Sequence, residues 1–301
     1  MIMRTTLILR NLSLVVALGL LTSCSAESVD DGKIHIVVTT SVLGDIVNRA
    51  FGTEASVATI MPGGADPHEF EPSARQVAEI RSADLVVANG LGLEEGLEDV
   101  LEEIGSDALV ELGPQVEPIA FDESGVADPH VWLDPLRMIA VVDVLAERLG
   151  SIDASVDWQS GASAYQSELL ATDQWVTDRL ASIPPSDRVL VTGHQAFGYF
   201  ADRYGFDVIA TVLPGATTMV EPSASGFAEV VSVLESSEAR AVFTDIGESQ
   251  ALAEQLVQQV DRDVLVIPLY SGTMSEDGSG PGDYLAMMRW NAEQIALGLE
   301  R

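Results

Sequence analysis

The chain has 301 residues, 47% of them apolar, which is enough for one large domain or two smaller ones with a substantial core. Its formal net charge is −32, with 15 basic residues against 47 acidic ones. Such a surface repels phosphate backbones and excludes nucleic acid as a partner. A single cysteine rules out any disulfide within the chain.

The first 23 residues read as a signal peptide. Arg4 and Arg10 precede the apolar run Leu12–Leu21, which is too short for a comfortable membrane span. The run ends at Leu21-Thr22-Ser23-Cys24, a tetrapeptide that resembles a bacterial lipobox, with cleavage before Cys24 and lipid on its thiol. Residues 24–32 then form a short acidic tether. Loss of the two arginines takes the net charge to about −34. There is no phosphate-binding Walker loop, since Gly32-Lys33 is followed by Ile34. In an energy-driven process the nucleotide would be bound by another chain.

From Lys33 onward strands and helices alternate. Strands are expected at Ile34–Thr39, Ala55–Met61, Asp84–Ala88 and Ala108–Leu112, with helices at Leu43–Phe51, Pro72–Ser82 and Leu93–Ile104. After two further helices, Pro135–Leu149 and Ala154–Ser182, the alternation restarts. Strands then fit Arg188–Thr192, Asp207–Thr211, Ala241–Thr244 and Val264–Pro268. Helices fit Ala196–Tyr204, Ser223–Ser236, Ser249–Val260 and Tyr284–Leu299. The expected fold is α/β, two similar parallel-sheet lobes over 33–150 and 187–301, joined by a long rigid helix within 151–186. That helix, interrupted only by Gly161, would be on the order of 40 Å long.

Only four histidines occur, and two of them lie in copies of one tripeptide, Asp66-Pro67-His68 and Asp128-Pro129-His130. A third, His194, follows the first strand of the second lobe. In open α/β sheets ligands bind beyond the carboxyl ends of the strands, and imidazole is the commonest metal ligand. His68, His130 and His194 are therefore expected at one edge, in the cleft between the lobes. His35 lies inside a strand and reads as structural. Asp66 and Asp128 are placed to orient the loops or the imidazole N–H groups, or merely to turn the chain. From the residues alone a fourth, acidic ligand stays open among many carboxylates, including Asp245, Glu248 and Asp283. Metal affinity is expected to fall below about pH 6 as imidazoles protonate.

These segments carry a resemblance. The stretch from Met61 to Ser73 around His68, Asp128 to Asp134 around His130, Gly193 to Gly205 around His194, and Gly282 to Asn291 all resemble the ligand motifs of one family. It comprises the metal-binding substrate-binding proteins of bacterial ABC transporters for zinc, manganese and iron. Asn89–Glu94 matches a further stretch, and the resemblance runs in order from Lys33 to the C-terminus. It implies two α/β lobes on a rigid helix and a metal held by His68, His130, His194 and Asp283. It also implies a membrane permease with a separate ATPase subunit as partners. A histidine at the third position, here His194, goes with zinc in this family, and a glutamate there with manganese. The His-rich loop of many zinc members has no counterpart in 105–127, which keeps manganese as the alternative.

The expectation is thus a monomeric, lipid-anchored, extracytoplasmic receptor that carries Zn²⁺, or Mn²⁺, as cargo and performs no catalysis. A zinc hydrolase is a weaker reading, because His68-Glu69 is followed by Pro72 where a second histidine would be needed. A surface adhesin with an incidental metal is the other alternative; its partner binding would survive replacement of the three histidines by alanine.

Overall fold

The computed structural model describes residues 32–121, 125–215, 217–237, 239–246 and 250–300. The signal segment, Cys24 and Glu248 lie outside the described residues. Eight strands and nine α-helices are described. In the first half they run β1 (His35–Val38), α1 (Ser41–Phe51), β2 (Ser56–Thr59), α2 (Ala74–Arg81), β3 (Leu85–Ala88), α3 (Glu98–Ile104) and β4 (Leu109–Glu111). Two connecting helices follow, α4 (Pro135–Ile152) and α5 (Trp158–Leu180). The second half runs β5 (Val189–Thr192), α6 (Gly198–Tyr204), β6 (Asp207–Thr211), α7 (Ala224–Ser236), β7 (Ala241–Asp245), α8 (Gln250–Val257), β8 (Leu265–Leu269) and α9 (Tyr284–Leu299).

Both sheets are wholly parallel and share one strand order, β2-β1-β3-β4 in the first and β6-β5-β7-β8 in the second. Parallel sheets are covered on both faces, so their strands are apolar on both sides. In β1, Ile36 and Val38 face the main core while Val37 faces a smaller cluster with Ile80, Val86 and Leu101. The outer face of the second sheet carries the equivalent cluster of Val191, Val230, Leu234, Val242 and Leu256. The main core is continuous through both lobes, from Ile36 and Leu43 to Phe243 and Leu299.

The connecting helix α5 packs against α4, α9 and α1. It begins only at Trp158, where Asp157 caps it by accepting from Ser160 N at 3.2 Å. Its 23 residues span about 35 Å. Gly161 lies inside the helix because a Cβ there would stand 2.1 Å from the carbonyl of Ala50 in α1. The expected interruption is thus a close approach of two helices. Helix α2 also starts later than expected, at Ala74, leaving Pro72 outside. Ser73 and Gln76 form a reciprocal capping box, which fixes the start more strongly than the proline does. The third expected helix begins as a 3₁₀ turn at Glu95–Leu97 before α3. His35 is half-buried in β1, where its backbone N–H donates to Asp84 Oδ2 at 2.8 Å.

Candidate metal centre

His68, on the loop after β2, and His130, on the loop after β4, meet His194, two residues beyond β5. All three are at least 97% buried. Their Nε2 atoms converge, with His68 to His130 at 3.3 Å and His130 to His194 at 3.2 Å. Around a tetrahedral ion with Zn–N bonds near 2.0–2.1 Å, neighbouring nitrogens stand about 3.3–3.4 Å apart. Two edges of the cluster therefore match those of such a tetrahedron, and the third closes within 4.8 Å.

The opposite ring nitrogens fix the tautomers. His130 Nδ1 lies 2.8 Å from Asp128 Oδ1, which also accepts from the His130 backbone N–H at 2.9 Å. His194 Nδ1 lies 2.8 Å from Asp245 Oδ2. A carboxylate accepts, so each Nδ1 carries the proton and each Nε2 turns a lone pair toward its neighbour. Lone pairs facing at this distance repel one another until a cation sits between them. Burial lowers the His68 pKa to about 2, aided by the neighbouring imidazoles. Burial also lowers that of His130, outweighing the attraction of Asp128. Both shifts oppose protonation of His68 and His130 in the folded protein.

The two aspartates of the repeated tripeptide differ in what they do. Asp128 touches the imidazole of its own loop. Asp66 accepts from the His68 backbone N–H at 2.9 Å and from Thr218 Oγ1 at 2.6 Å, so it turns the loop and ties it to the other lobe. His68 Nδ1 has no partner among the described residues.

Asp283, a ligand by the family resemblance, stands apart from the three converging histidines in this structure. It is the N-cap of α9: Oδ1 accepts from Ala286 N at 2.7 Å and Oδ2 from Arg49 at 2.9 Å. It lines a separate surface pocket with Arg49, Glu168 and Arg289, whereas the segment that reaches the histidines is Ser271–Thr273, directly after β8. An acid at a helix start is held by the orphan N–H groups there, and this outweighed the loop's expected reach into the cleft. The described carboxylate that reaches His194 is Asp245, on the Nδ1 side of the ring and outside the converging group. Strand pairing sets Thr192 of β5 opposite Phe243 of β7, so the residues two places on, His194 and Asp245, come together. The available signal was an acid ending an apolar strand.

A buried buttress holds the His130 loop. Glu94, 3% exposed, accepts from Thr39 Oγ1 and Asn89 N, both at 2.7 Å, and from Gly90 N at 3.0 Å. Asn89 then donates through Nδ2 to the carbonyl of Pro129 at 2.9 Å. Across the cleft, Trp132 Nε1 donates to Ser271 O at 2.6 Å, and Tyr284 Oη donates to Trp132 O at 2.6 Å.

Two parallel-sheet lobes with buried imidazoles converging at their strand ends define a class: a two-lobed binding protein for a metal cation. Residues 36–298 match the family model described as the zinc-uptake complex component A, periplasmic. The manganese-binding lipoprotein MntA of Bacillus subtilis is 32% identical over 293 residues, covering 93% of this chain and 95% of that protein. The zinc-binding protein TroA of Treponema pallidum is 30% identical over 301 residues, covering 95% and 97%. The solved structure of the periplasmic zinc-binding protein TroA from Treponema pallidum superposes with a TM-score of 0.83 at 29% identity, covering 90% of this chain and all of that one. The chain belongs to the zinc-uptake complex component A family. It is a metal-binding solute-binding component of ABC transport and not an enzyme.

Proposed function

We propose that the protein captures Zn²⁺ outside the cytoplasmic membrane and delivers it to an ABC permease for uptake. The observation that carries this reading is the all-nitrogen donor set, with His130 Nε2 at 3.3 Å from that of His68 and 3.2 Å from that of His194, and one ligand atom of each histidine within 4.8 Å of the others. Imidazole suits zinc, whereas manganese favours carboxylate, carbonyl and water oxygens. His68, His130 and His194 are the ligands in this reading. Asp128 and Asp245 orient two of them, and Asp66 braces the third through its loop.

Mn²⁺ is the second reading, favoured by the likeness to manganese-binding MntA. The remaining parts of the proposal follow from the sequence: a signal peptide over 1–23, a lipid on Cys24, a tether to residue 32, and lobes over 33–150 and 187–301 joined through 151–186. The partners would be a permease and its separate ATPase subunit, with the receptor acting as a monomer.

Competitive titration of the purified protein with Zn²⁺ and Mn²⁺, read by calorimetry and bound-metal analysis, tests the cargo. One tightly held zinc per chain that manganese does not displace supports the proposal. Preferred manganese binding moves the cargo to manganese within the same transport role. Stoichiometric binding of neither ion would overturn it.

A further inference from the structure

The three imidazoles are not held alike. His130 has Asp128 at its Nδ1, and the buttress of Glu94 and Asn89 grips its loop through the Pro129 carbonyl. His194 has Asp245 at its Nδ1 and stands two residues beyond β5, where Thr192 Oγ1 donates to its carbonyl. His68 has neither kind of brace, and its Nδ1 has no partner among the described residues.

The loop that carries His68 leaves the first sheet at Met61, whose N–H still donates to Thr39 O at 2.9 Å, and ends at the Ser73 cap of α2. Between these points its described hydrogen bonds to other backbone and hydroxyl groups reach the second lobe. Thr218 Oγ1 donates to Asp66 Oδ2 at 2.6 Å. The Gly64 N–H donates to Thr273 Oγ1 at 2.7 Å and is shared with the Met274 carbonyl at 3.0 Å. Pro62, Gly64 and Glu69 are exposed, and Gly64 holds φ +83° with open space where a side chain would stand. A left-handed glycine facing open space is a ready pivot. The lobes themselves are tied by more than this. Their core is continuous, Trp132 bonds to Ser271 O, and Arg49 of α1 pairs with Asp283 of α9 at 2.9 Å.

We propose that His68 is the moving ligand: the ion enters and leaves by withdrawal of the 62–68 loop, while His130 and His194 keep their places, and Thr218 and Thr273 are the positioning residues that set the rate. This inference rests on the reading that the three histidines bind the metal. With His68 withdrawn, two oriented imidazoles remain, a weaker half-site from which an acceptor can take the ion.

Purified zinc-loaded protein is mixed with a saturating chromogenic chelator, and the dissociation rate is read by stopped flow. Thr218→Val and Thr273→Val are each expected to speed release about fivefold, the rate factor of one hydrogen bond, and together about 25-fold. Thr218→Ser keeps the hydroxyl and is expected to keep the original rate. Arg49→Met loosens the lobes away from the loop and is expected to leave the rate within about twofold, as for a partly exposed ion pair. Amide exchange read by mass spectrometry is expected to be slowed by zinc more in 62–70 than in 128–134 or 190–196, and sped in 62–70 alone by the double valine variant. Release accelerated as much by Arg49→Met as by the valine variants would overturn the moving loop in favour of a hinge between lobes. Valine variants that release zinc at the original rate, or equal protection by zinc of all three segments, would overturn it too and leave the metal site standing. Failure to bind zinc at all would remove both readings.

Discussion

The two carboxylate–imidazole pairs perform the same chemistry by different means. Asp128 and His130 are two residues apart on one loop, and the aspartate accepts from both the ring and the backbone of its partner. Asp245 and His194 are 51 residues apart and meet because β5 and β7 are neighbours in register. One pair is set by local turn geometry and the other by the sheet. The loop pair needs outside bracing, which Glu94 and Asn89 give it. The sheet pair is braced by the strands themselves and by Thr192 Oγ1, which donates to His194 O at 2.8 Å.

The largest effect is expected at His130, whose Nε2 lies within 3.3 Å of both other imidazoles. His130→Ala should weaken zinc binding by roughly a thousandfold or more, since it removes the central ligand and its fixed tautomer. Chelator competition measures this. Alanine at the orienting acids separates the pairs. Asp128→Ala should cost about 100-fold in zinc affinity and Asp245→Ala about 10-fold, the range typical of groups that orient metal ligands. Equal losses would break the distinction between a loop-held and a sheet-held histidine.

Acid sharpens the comparison from another side. In the unfolded chain the histidines take up protons below about pH 6.5. In the fold, burial keeps His68 neutral down to about pH 2, and His130 is shifted the same way. The unfolded state therefore binds more protons below 6.5, and metal-free stability falls as pH drops from there toward the folded values. Thermal melts of the metal-free protein at pH 7.0 and 5.5 should show this loss. Zinc affinity should fall less over the same interval than it does for free imidazole. A proton-driven loss of affinity centred at pH 6.5 would contradict the lowered values of His68 and His130.

Asn89→Ala should lower zinc affinity by about threefold to tenfold, and stability by about 1–3 kcal/mol, by leaving the Pro129 carbonyl without its donor. Calorimetry and urea unfolding separate the two. The smallest effect on metal is expected at Asp283→Ala. Zinc affinity should stay within about twofold, while stability falls by about 1 kcal/mol through loss of the α9 cap. Abolished zinc binding by this variant would restore Asp283 as a ligand.

Much of the fold was legible because its signals are local. β-branched runs such as Ile36–Val38 and Val86–Val87 can only be covered strands, and the alternation restarts visibly at Val189. The three histidines were legible because scarce residues recur at strand ends. What the sequence hid is tertiary. Nothing local to Asp245 tells that β7 pairs with β5 at the offset that brings it to His194. Nothing local to Asp283 tells that Arg49 of α1 waits beside it. Ser73 and Gln76 carry a capping box that is readable in the sequence and sets the helix start two residues after Pro72.

Trp132 is buried to 2% exposure, with its indole edge-on to the His130 ring at 5.3 Å between centroids and its N–H held by Ser271. The other three tryptophans have their ring contacts elsewhere, Trp158 with Phe51, Trp290 with Tyr270 and Trp175 with the Arg289 guanidinium. In the proposed reading, a cation on His130 would act most strongly on the indole in contact with that ring. The protein thus carries an intrinsic optical probe of loading. Its emission should shift on zinc addition, and Trp132→Phe should silence that shift, so that arrival and departure of cargo can be timed by stopped flow without a label.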